Sequence, residues 1–135
     1  MLQLINGPRY FFKKEDKLKS RKAIDAVFKE GKSFSNYPLK VIWLSDNSRE
    51  TLQAAVGVSS RNFKKATDRN RIKRLMREAY RLQKAILQDH LQARERNLSV
   101  FFLYVGKELP LYPLIHEKMA TALNRLIKFV DEKPE

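Results

Sequence analysis

The side chains best suited to chemistry in this sequence are cations, concentrated in residues 69–81, RNRIKRLMREAYR. At about 100° per residue on a helix, a mostly apolar face is formed by Ile72, Leu75, Met76, Ala79, Gln83 and Ile86. A flanking basic face is formed by Arg69, Lys73, Arg77, Arg81 and Lys84, with Asn70 and Arg74 continuing its arc. Glu78 is the one acidic residue in the stretch, so the cations repel one another unless a polyanion lies across them. The pattern predicts an amphipathic helix that binds a phosphate backbone.

A solvated basic face on an ordinary amphipathic helix is the alternative, and the composition of the chain weighs against it. The 135 residues include 28 Lys and Arg against 15 Asp and Glu, so the net charge is 28 − 15 = +13. Because 43% of the residues are hydrophobic, the chain is expected to fold and not to remain a disordered basic tail. A folded, strongly basic domain points to nucleic acid.

Groups for protein-based catalysis are sparse. The only histidines, His90 and His116, have no partner at the spacing of metal ligands, and both are expected to be ordinary surface residues. The six aspartates are scattered, and no two of them stand three or four residues apart. No phosphate-binding glycine loop and no nucleophile motif is present. Any phosphodiester chemistry is therefore expected to use a metal held elsewhere.

Cellular location follows from what the sequence lacks. With no cysteine, the chain forms no disulfide and no cysteine–zinc site, which is compatible with a reducing cytosol. Its longest apolar runs, such as residues 100–105, are too short to span a bilayer. Residues 1–7 have neither the basic nor the apolar region of a signal peptide. We expect a cytoplasmic protein with no membrane partner.

Three helices and four strands are predicted to position the basic stretch. Ser20 suits the N-cap of a first helix, and Gly31 suits the position after its end. The basic helix is predicted from about residue 67 to residue 90, and the last helix begins at Pro113. The strands are predicted at residues 32–35, 39–44, 52–59 and 98–105.

The strands at residues 39–44 and 52–59 flank a turn signal at residues 46–48 and are predicted to pair as an antiparallel hairpin. The strand at residues 98–105 is the most apolar and is expected inside the sheet. The order α-β-β-β-α-β-α predicts one α/β domain over residues 1–135, an α+β two-layer sandwich with the helices on one face of a small sheet. The opposite face, or a groove between the first helix and the sheet, is then free for a partner.

The first 17 residues mix aromatic and basic side chains, namely Arg9, Tyr10, Phe11, Phe12, Lys13 and Lys14. Such a segment can stack on bases or lie against the fold. The sequence leaves both alternatives open, together with the question of whether the segment is ordered.

Residues 66–78, ATDRNRIKRLMRE, resemble the RNR signature of the bacterial ribonuclease P protein subunit. The resemblance extends over nearly the whole chain. Residues 28–33 (FKEGKS) are similar to the exit of the family's first helix, and residues 56–59 (VGVS) to the strand before its basic loop. Residues 101–103 (FFL) match the strand after the long helix.

The resemblance implies a ribosomal protein S5 domain 2-like fold whose strand–helix–strand unit crosses over left-handed, against the usual rule. It also implies that the chain is the non-catalytic protein subunit of an endoribonuclease, in which an RNA with bound Mg²⁺ removes the 5′ leader of precursor tRNA. The implied partners are ribonuclease P RNA, which holds most of the Mg²⁺, and precursor tRNA. The protein would be a monomer within this ribonucleoprotein.

Residue roles follow from the same resemblance, and none of them is catalytic or metal-binding. Contact with the catalytic RNA near its active centre is implied for Arg69, Asn70, Arg71, Lys73, Arg74 and Arg77. Arg81 of the same arc, and Lys64 and Lys65 of the preceding basic loop, complete the predicted RNA-binding surface. A groove for the leader is implied at Ile24, Phe28, Ile42 and Trp43, with Arg61 as a basic contact at its edge.

Two positions depart from the family pattern. The loop has the sequence RNFK at residues 61–64, where Lys-Lys-x-Gly is frequent, so it has no glycine. Ile24 stands where an aromatic residue is common. Phe28 and Trp43 also suit a hydrophobic core, so the leader contacts are the open part of the prediction.

Two other functions are alternatives. A structural RNA-binding protein, either ribosomal or an assembly factor, would share the basic helix but would not need a groove with apolar walls for a single strand. A stand-alone protein nuclease would need a cluster of acid, base and metal ligands that the sequence lacks. Stronger binding of precursor than of mature tRNA separates the first alternative from the leading prediction.

Overall fold

A computed structural model describes residues 12, 16–45 and 51–132 of the chain. This part forms a single small α/β domain with three helices and four strands. The helices are α1 (Arg21–Glu30), α2 (Ala66–Ala93) and α3 (Tyr112–Asp131). The strands are β1 (Lys32–Asn36), β2 (Leu39–Leu44), β3 (Leu52–Val58) and β4 (Leu98–Tyr104). The predicted fold class and order of elements are confirmed.

The sheet has the strand order β1-β2-β4-β3. Strand β2 is antiparallel to both β1 and β4, whereas β3 and β4 are parallel and are connected through α2. The predicted hairpin between β2 and β3 is therefore wrong, because β4 lies between them. Since β4 has apolar side chains on both faces, it is favoured inside the sheet, with a strand on each side. The left-handed sense of the β3–α2–β4 crossover stays a prediction.

The two faces of the sheet are covered by different helices. Val41, Val100 and Phe102 point into the main core, which α2 and α3 complete through residues such as Met76 and Leu126. On the opposite face, α1 packs through Val27 against Ile42 in a smaller cluster. The predicted single layer of helices thus holds for α2 and α3, while α1 lies on the other side. Both faces of β2 and β4 are apolar enough to be covered.

Helix α1 begins as predicted and ends for a different reason. The Ser20 hydroxyl oxygen accepts a hydrogen bond from the Ala23 N–H (3.3 Å), which caps the helix. Gly31 follows the last turn with φ −76°, so it is not in the left-handed conformation expected of a C-terminal glycine. Instead, a Cβ at this position would lie 2.6 Å from the Trp43 carbonyl oxygen and still closer to that of Val27. Gly31 is therefore required for space.

The buried face of α2 rotates along the helix. Ile72, Met76 and Ala79 are buried as predicted, but Ile86 is 64% exposed. Further along, the buried positions are Tyr80, Lys84, Leu87 and Leu91, at the i, i+4, i+7 and i+11 spacing of one helical face. Lys84, predicted in the basic arc, is only 3% exposed. Its ammonium lies 4.0 Å from an Asp16 carboxylate oxygen and donates to Gln88 Oε1 (3.2 Å), so it is a core cation and not part of the basic surface.

Strand β1 is the edge of the sheet beside α3. Within the described residues it pairs only with β2. Nη1 of Arg125 donates to the Ser35 carbonyl oxygen (2.8 Å), and the guanidinium lies 4.2 Å from the centroid of the Phe34 ring. Nδ2 of Asn36 donates to the Lys118 carbonyl oxygen (2.9 Å). These contacts attach α3 to the outer edge of β1.

Candidate nucleic-acid interface

The basic loop between β3 and α2 is held against the end of β4. Nδ2 of Asn62 donates to the carbonyl oxygens of Val105 and Gly106, both at 3.2 Å. The Phe63 side chain is buried, and its ring centroid lies 6.1 Å from that of Tyr104. These anchors leave the side chains of Arg61, Lys64 and Lys65 exposed. The loop therefore presents its cations on a fixed backbone.

Arg69 connects this loop to the first turn of α2. Its Nη1 donates to the carbonyl oxygen of Phe63 (2.8 Å) and to that of Lys64 (2.7 Å). Helix α2 has no side-chain N-cap, so these bonds help to fix the chain where it enters the helix. Arg69 is partly buried. It therefore acts as a brace for the loop as well as a cation of the predicted RNA surface.

The other cations of α2 are solvent-facing on the side predicted. The exposed members of the predicted RNA surface on the helix are Asn70, Arg71, Arg74 and Arg77, and Lys73 is partly exposed. Met76, on the same turns, is fully buried. The helix thus separates a buried apolar stripe from an exposed basic one, and the basic stripe adjoins the loop cations.

Arg81, the last cation predicted for this surface, is paired with an acid. Its Nη2 lies 2.7 Å from Glu78 Oε2, and its Nε donates to Oε1 at 3.2 Å. This hydrogen bonding lowers the pKa of Glu78 and raises the pKa of Arg81. Arg81 therefore contributes less net positive charge to the surface than Arg71 or Arg74.

An apolar cluster lies between α1 and the sheet, on the face opposite α2. Phe28 is 48% exposed, and its ring centroid is 4.8 Å from that of Phe101, with the planes at 59°. Ile24 is partly buried beside the same cluster, and Ile42 is 5% exposed beneath it. The structure thus brings together three of the four side chains predicted for the leader groove.

Trp43, the fourth, lies elsewhere, which corrects the prediction. Because successive side chains of a strand point to opposite faces, Trp43 faces the main core while Ile42 faces α1. The Trp43 side chain is 7% exposed and stacks on Phe129 of α3 at 5.8 Å. The ammonium of Lys32 lies 5.7 Å from its ring centroid. Trp43 therefore cannot share a groove with Ile24 and Phe28.

Phe101, which contacts Phe28 beside α1, is a residue that sequence reasoning missed. Strand β4 is apolar at almost every position, so the alternation between its faces is not visible in the residue types. The register supplies what was missing, because Phe101 stands opposite Ile42 in the sheet. The sequence signal that could have indicated the position of Phe101 is Gly57. A glycine inside a strand often marks a close approach, and here a Cβ would lie 2.7 Å from Cζ of Phe101.

Part of the N-terminal segment lies against the fold. The Phe12 ring packs on Tyr80 of α2 with centroids 5.4 Å apart, and the Leu18 N–H donates to the Ala54 carbonyl oxygen (2.9 Å). The Tyr80 hydroxyl is buried with no hydrogen-bond partner in the described part of the chain, and burial raises its pKa. The predictions for Arg9, Tyr10, Phe11, Lys13 and Lys14 fall outside the described residues.

The histidines have structural neighbours. Nε2 of His90 lies 2.7 Å from Oδ1 of Asp131, and Nε of Arg94 lies 2.6 Å from the same oxygen. This cluster joins the end of α2 to the end of α3. The His116 ring lies 5.7 Å from that of Tyr112. Over residues 12, 16–45 and 51–132, no three histidine, aspartate or glutamate side chains converge as metal ligands would. No helix in that part is long and apolar enough to cross a membrane.

A basic helix joined to an anchored cationic loop, with an apolar cluster behind the sheet, defines a small α/β protein of the RNA-binding class. A family model described as Ribonuclease P matches residues 12–108. The chain is 37% identical over 125 residues to the ribonuclease P protein component of Porphyromonas gingivalis, covering 91% of each chain. It is 32% identical over 126 residues to that of Chlorobium phaeobacteroides, covering 84% of this chain and 86% of the relative. The chain belongs to the ribonuclease P protein family.

Solved structures agree with this assignment. The ribonuclease P protein of Thermotoga maritima superposes with a TM-score of 0.65 at 25% identity, covering 81% of this chain and 96% of that one. The protein of Staphylococcus aureus has a TM-score of 0.64 at 17% identity, covering 86% and 95%, and supports the fold. The chain is a protein subunit of ribonuclease P, the endoribonuclease of tRNA 5′ maturation, in which the RNA carries the catalysis. It therefore assembles with ribonuclease P RNA in a ribonucleoprotein.

Proposed function

We propose that the basic surface of α2 and its loop binds ribonuclease P RNA, and that the groove beside α1 binds the 5′ leader of precursor tRNA. The observation that carries this proposal is the separation of two surfaces of different chemistry by one sheet. Exposed cations lie along α2 on one side, and the half-exposed Phe28 ring lies on the other. Such a protein can contact two RNA segments at once.

The RNA-facing surface consists of exposed or partly exposed side chains on a rigid helix and an anchored loop. Its members are Lys64, Lys65, Arg69, Asn70, Arg71, Lys73, Arg74, Arg77 and Arg81. Arginine and lysine contacts with phosphate give affinity without sequence choice. Arg69 contributes mainly by fixing the loop, and Arg81 contributes least because Glu78 partly offsets its charge.

The leader groove is formed by Ile24, Phe28 and Ile42, with Arg61 near its end. Aliphatic and aromatic walls accept the face of any unpaired base, so binding tolerates different leader sequences. This property suits an enzyme whose tRNA substrates carry unrelated leaders. It also distinguishes the chain from a structural RNA-binding protein, which needs no single-strand groove.

We assign the Mg²⁺ of the reaction to the RNA partner. The proposed interface is strongly cationic, so it repels a divalent cation and attracts the phosphates that bind one. When bound, Mg²⁺ supplies the charge stabilisation of phosphodiester cleavage. The protein's cations screen converging RNA backbones and so reduce the Mg²⁺ concentration that the particle needs.

The protein is proposed to act in the cytoplasm and to enter the particle as a monomer. The net charge of +13 opposes self-association and favours RNA. The absence of cysteine from the sequence is compatible with a reducing compartment.

The test is cleavage of a precursor tRNA by a bacterial ribonuclease P RNA at low Mg²⁺, with and without this protein. Stimulation of correct 5′ cleavage, with the protein alone inactive, is the expected result. Salt-sensitive RNA binding without stimulation would contradict a role in cleavage. Cleavage by the protein alone would overturn the assignment of catalysis to the RNA.

A further inference from the structure

We propose that a depression at the end of the sheet, between the turn joining β1 to β2 and the first turns of α3, is a further contact site for ribonuclease P RNA and holds an unpaired nucleotide. This turn depression is lined chiefly by Tyr37, Leu109, Leu111, Leu114, Lys107 and Lys118. It lies beside α3 and not beside α1, so it is separate from the proposed leader groove. The proposal rests on the proposed function, because it extends the RNA-binding surface of the neighbouring basic loop.

Exposed apolar side chains are concentrated at the turn depression. In the described part of the chain seven large hydrophobic residues are exposed, and four of them line it. Leu111 is 72% exposed and Tyr37 is 63% exposed. Single exposed apolar residues are common on protein surfaces, whereas a group of them around a depression of about 700 Å³ marks an interaction site.

Hydrogen bonds hold the walls of the turn depression in place. The Val105 N–H, after β4, donates to the Pro38 carbonyl oxygen of the turn (2.8 Å). The Tyr104 hydroxyl donates to the Glu108 carbonyl oxygen (2.7 Å), which fixes the loop before α3. Asn36, just before the turn, is bonded to α3. The walls are therefore formed before a ligand arrives, and binding requires little reordering of the backbone.

The charges around the turn depression favour a polyanion. Lys107 of the loop is exposed and Lys118 of α3 is partly exposed, so cations stand on two sides. Glu108 is the one acidic residue among the described residues that line it. A second copy of this chain would bring the same net charge of +13, which opposes self-association through this surface.

Lys107 makes the turn depression continuous with the basic loop. It also lines the neighbouring depression, together with Arg61 and Asn62 of that loop. The same loop continues into the cations Lys64 and Lys65 at the start of α2. An RNA that lies on the loop can therefore continue past Lys107 into the turn depression.

An unpaired nucleotide fits this combination of side chains better than a duplex does. Duplex RNA presents phosphates and 2′-hydroxyls and keeps its base faces stacked inside, so it offers little to an apolar depression. A base from a loop or bulge can stack on the exposed Tyr37 ring, with the leucines against its other edges. The adjoining phosphates then face Lys107 and Lys118. Because the leader is assigned to the other face of the sheet, ribonuclease P RNA is the proposed source of this nucleotide.

The first experiment locates the RNA directly. Since the chain has no cysteine of its own, Leu111→Cys gives a single attachment point for an iron–EDTA reagent, whose hydroxyl radicals cleave RNA close to the iron. The labelled protein is reconstituted with ribonuclease P RNA and precursor tRNA. Thr67→Cys, exposed in the first turn of α2, reports on the proposed RNA surface of that helix. Lys128→Cys, about 25 Å further along α3, is the control for background cleavage.

We expect Leu111→Cys to cleave ribonuclease P RNA at an unpaired segment, and Lys128→Cys not to cleave it there. Cleavage of the precursor leader alone from position 111 would overturn the proposal. If Thr67→Cys cleaves ribonuclease P RNA and Leu111→Cys does not, the proposed surface on α2 stands and the turn depression is not an RNA site. If neither position gives cleavage in a particle that has assembled, the proposed function of α2 fails as well.

The second experiment measures how much the turn depression contributes to binding ribonuclease P RNA. Tyr37→Ala is expected to weaken the affinity by about five-fold or more through loss of stacking. Lys118→Gln should reduce the slope of log affinity against log salt by about 0.7. The matched controls are Ile86→Ala, at another exposed apolar position, and Lys128→Gln. Thermal unfolding verifies that each variant is folded.

Two further readouts separate the RNA from other occupants. The preference for precursor over mature tRNA should be unchanged in Tyr37→Ala, whereas a lowered preference would make this a leader site. Sedimentation of the free protein should give a monomer for wild type. A wild-type dimer that Leu111→Ala converts to a monomer would show that a second copy occupies the turn depression, and effects no larger than those of the controls would also overturn the proposal.

Discussion

Arg69 donates a hydrogen bond through Nη1 to the carbonyl oxygen of Lys64, at 2.7 Å. The side chain that opens the basic helix therefore also holds the backbone of the loop before it. The cations of the loop and those of the helix are thereby kept in a fixed relation. Fixed spacing matters because a phosphate backbone presents its charges at regular intervals, and mobile cations lose side-chain entropy when they bind.

Replacing Arg69 by alanine should lower both stability and RNA affinity. Loss of the two hydrogen bonds to Phe63 and Lys64 is expected to lower the free energy of unfolding by about 1 kcal/mol. Arg71→Ala, at an exposed position, should leave stability within about 0.5 kcal/mol. Urea unfolding measures the difference. Equal stability of the two variants would show that Arg69 does not brace the loop.

The salt dependence of RNA binding should report the phosphate contacts of α2. Replacing Arg71 or Arg74 by alanine is expected to reduce the slope of log affinity against log salt by about 1 each. Arg81→Ala should reduce it by less, since Glu78 already neutralises part of that charge. Filter binding of ribonuclease P RNA across a salt series is the measurement, with Lys128→Ala as the control. A slope unchanged in Arg71→Ala would remove this residue from the interface.

Stability at acid pH should depend on Asp131. Hydrogen bonding to His90 and the charge of Arg94 hold the pKa of Asp131 below its ordinary value. The folded protein therefore binds a proton at this carboxylate less readily than the unfolded chain does. The stabilisation is present above the ordinary carboxyl pKa and is lost as the pH falls through the lower, folded-state value.

Asp131→Asn is thus expected to flatten the acid side of the stability profile. Thermal unfolding measured from neutral to acid pH tests this expectation, with Asp25→Asn on the exposed side of α1 as the control. An unchanged acid slope in Asp131→Asn would show that the contacts between the ends of α2 and α3 do not contribute.

Gly31→Ala should destabilise the protein for lack of space. The added Cβ would meet the carbonyl oxygens of Trp43 and Val27, and both are backbone atoms that cannot turn aside. A cost of about 1–3 kcal/mol is expected, as for other overpacked sites. Ser33→Ala, an exposed position on β1, serves as the control in the same unfolding experiment. Wild-type stability of Gly31→Ala would mean that α1 can move away from β2.

Local patterns allowed most of the elements to be predicted. The spacing of Ile72, Met76 and Ala79 predicted α2, although the helix extends to Ala93 and not only to about residue 90, and the N-cap of α1 followed from Ser20. Both depend on residues within a few positions of each other. Strand pairing does not. The sequence shows that β4 is apolar, but only the folded sheet shows that it separates β2 from β3.

For the candidate site, too, the residues that lie on one helix were predicted correctly, and those that depend on the arrangement of strands were not. The cations of α2 lie on one helix, so periodicity was sufficient to bring them together. The groove depends on which face each strand residue occupies, and in continuous apolar runs this is not visible, so Trp43 was included and Phe101 was missed. The prediction that Lys84 belongs to the basic surface was wrong for a related reason. Its burial results from Asp16 and from rotation of the buried face along the helix, neither of which is visible in the local sequence.

The contact of Arg125 with the edge strand β1 matters for the free protein, before it binds RNA. An edge strand such as β1 offers unpaired backbone groups to any other extended chain, and newly made protein is at risk of pairing there. Arg125 occupies the Ser35 carbonyl oxygen and adds a charge at that edge. The contact favours a soluble free subunit during the interval between synthesis and assembly, when no RNA yet covers the chain.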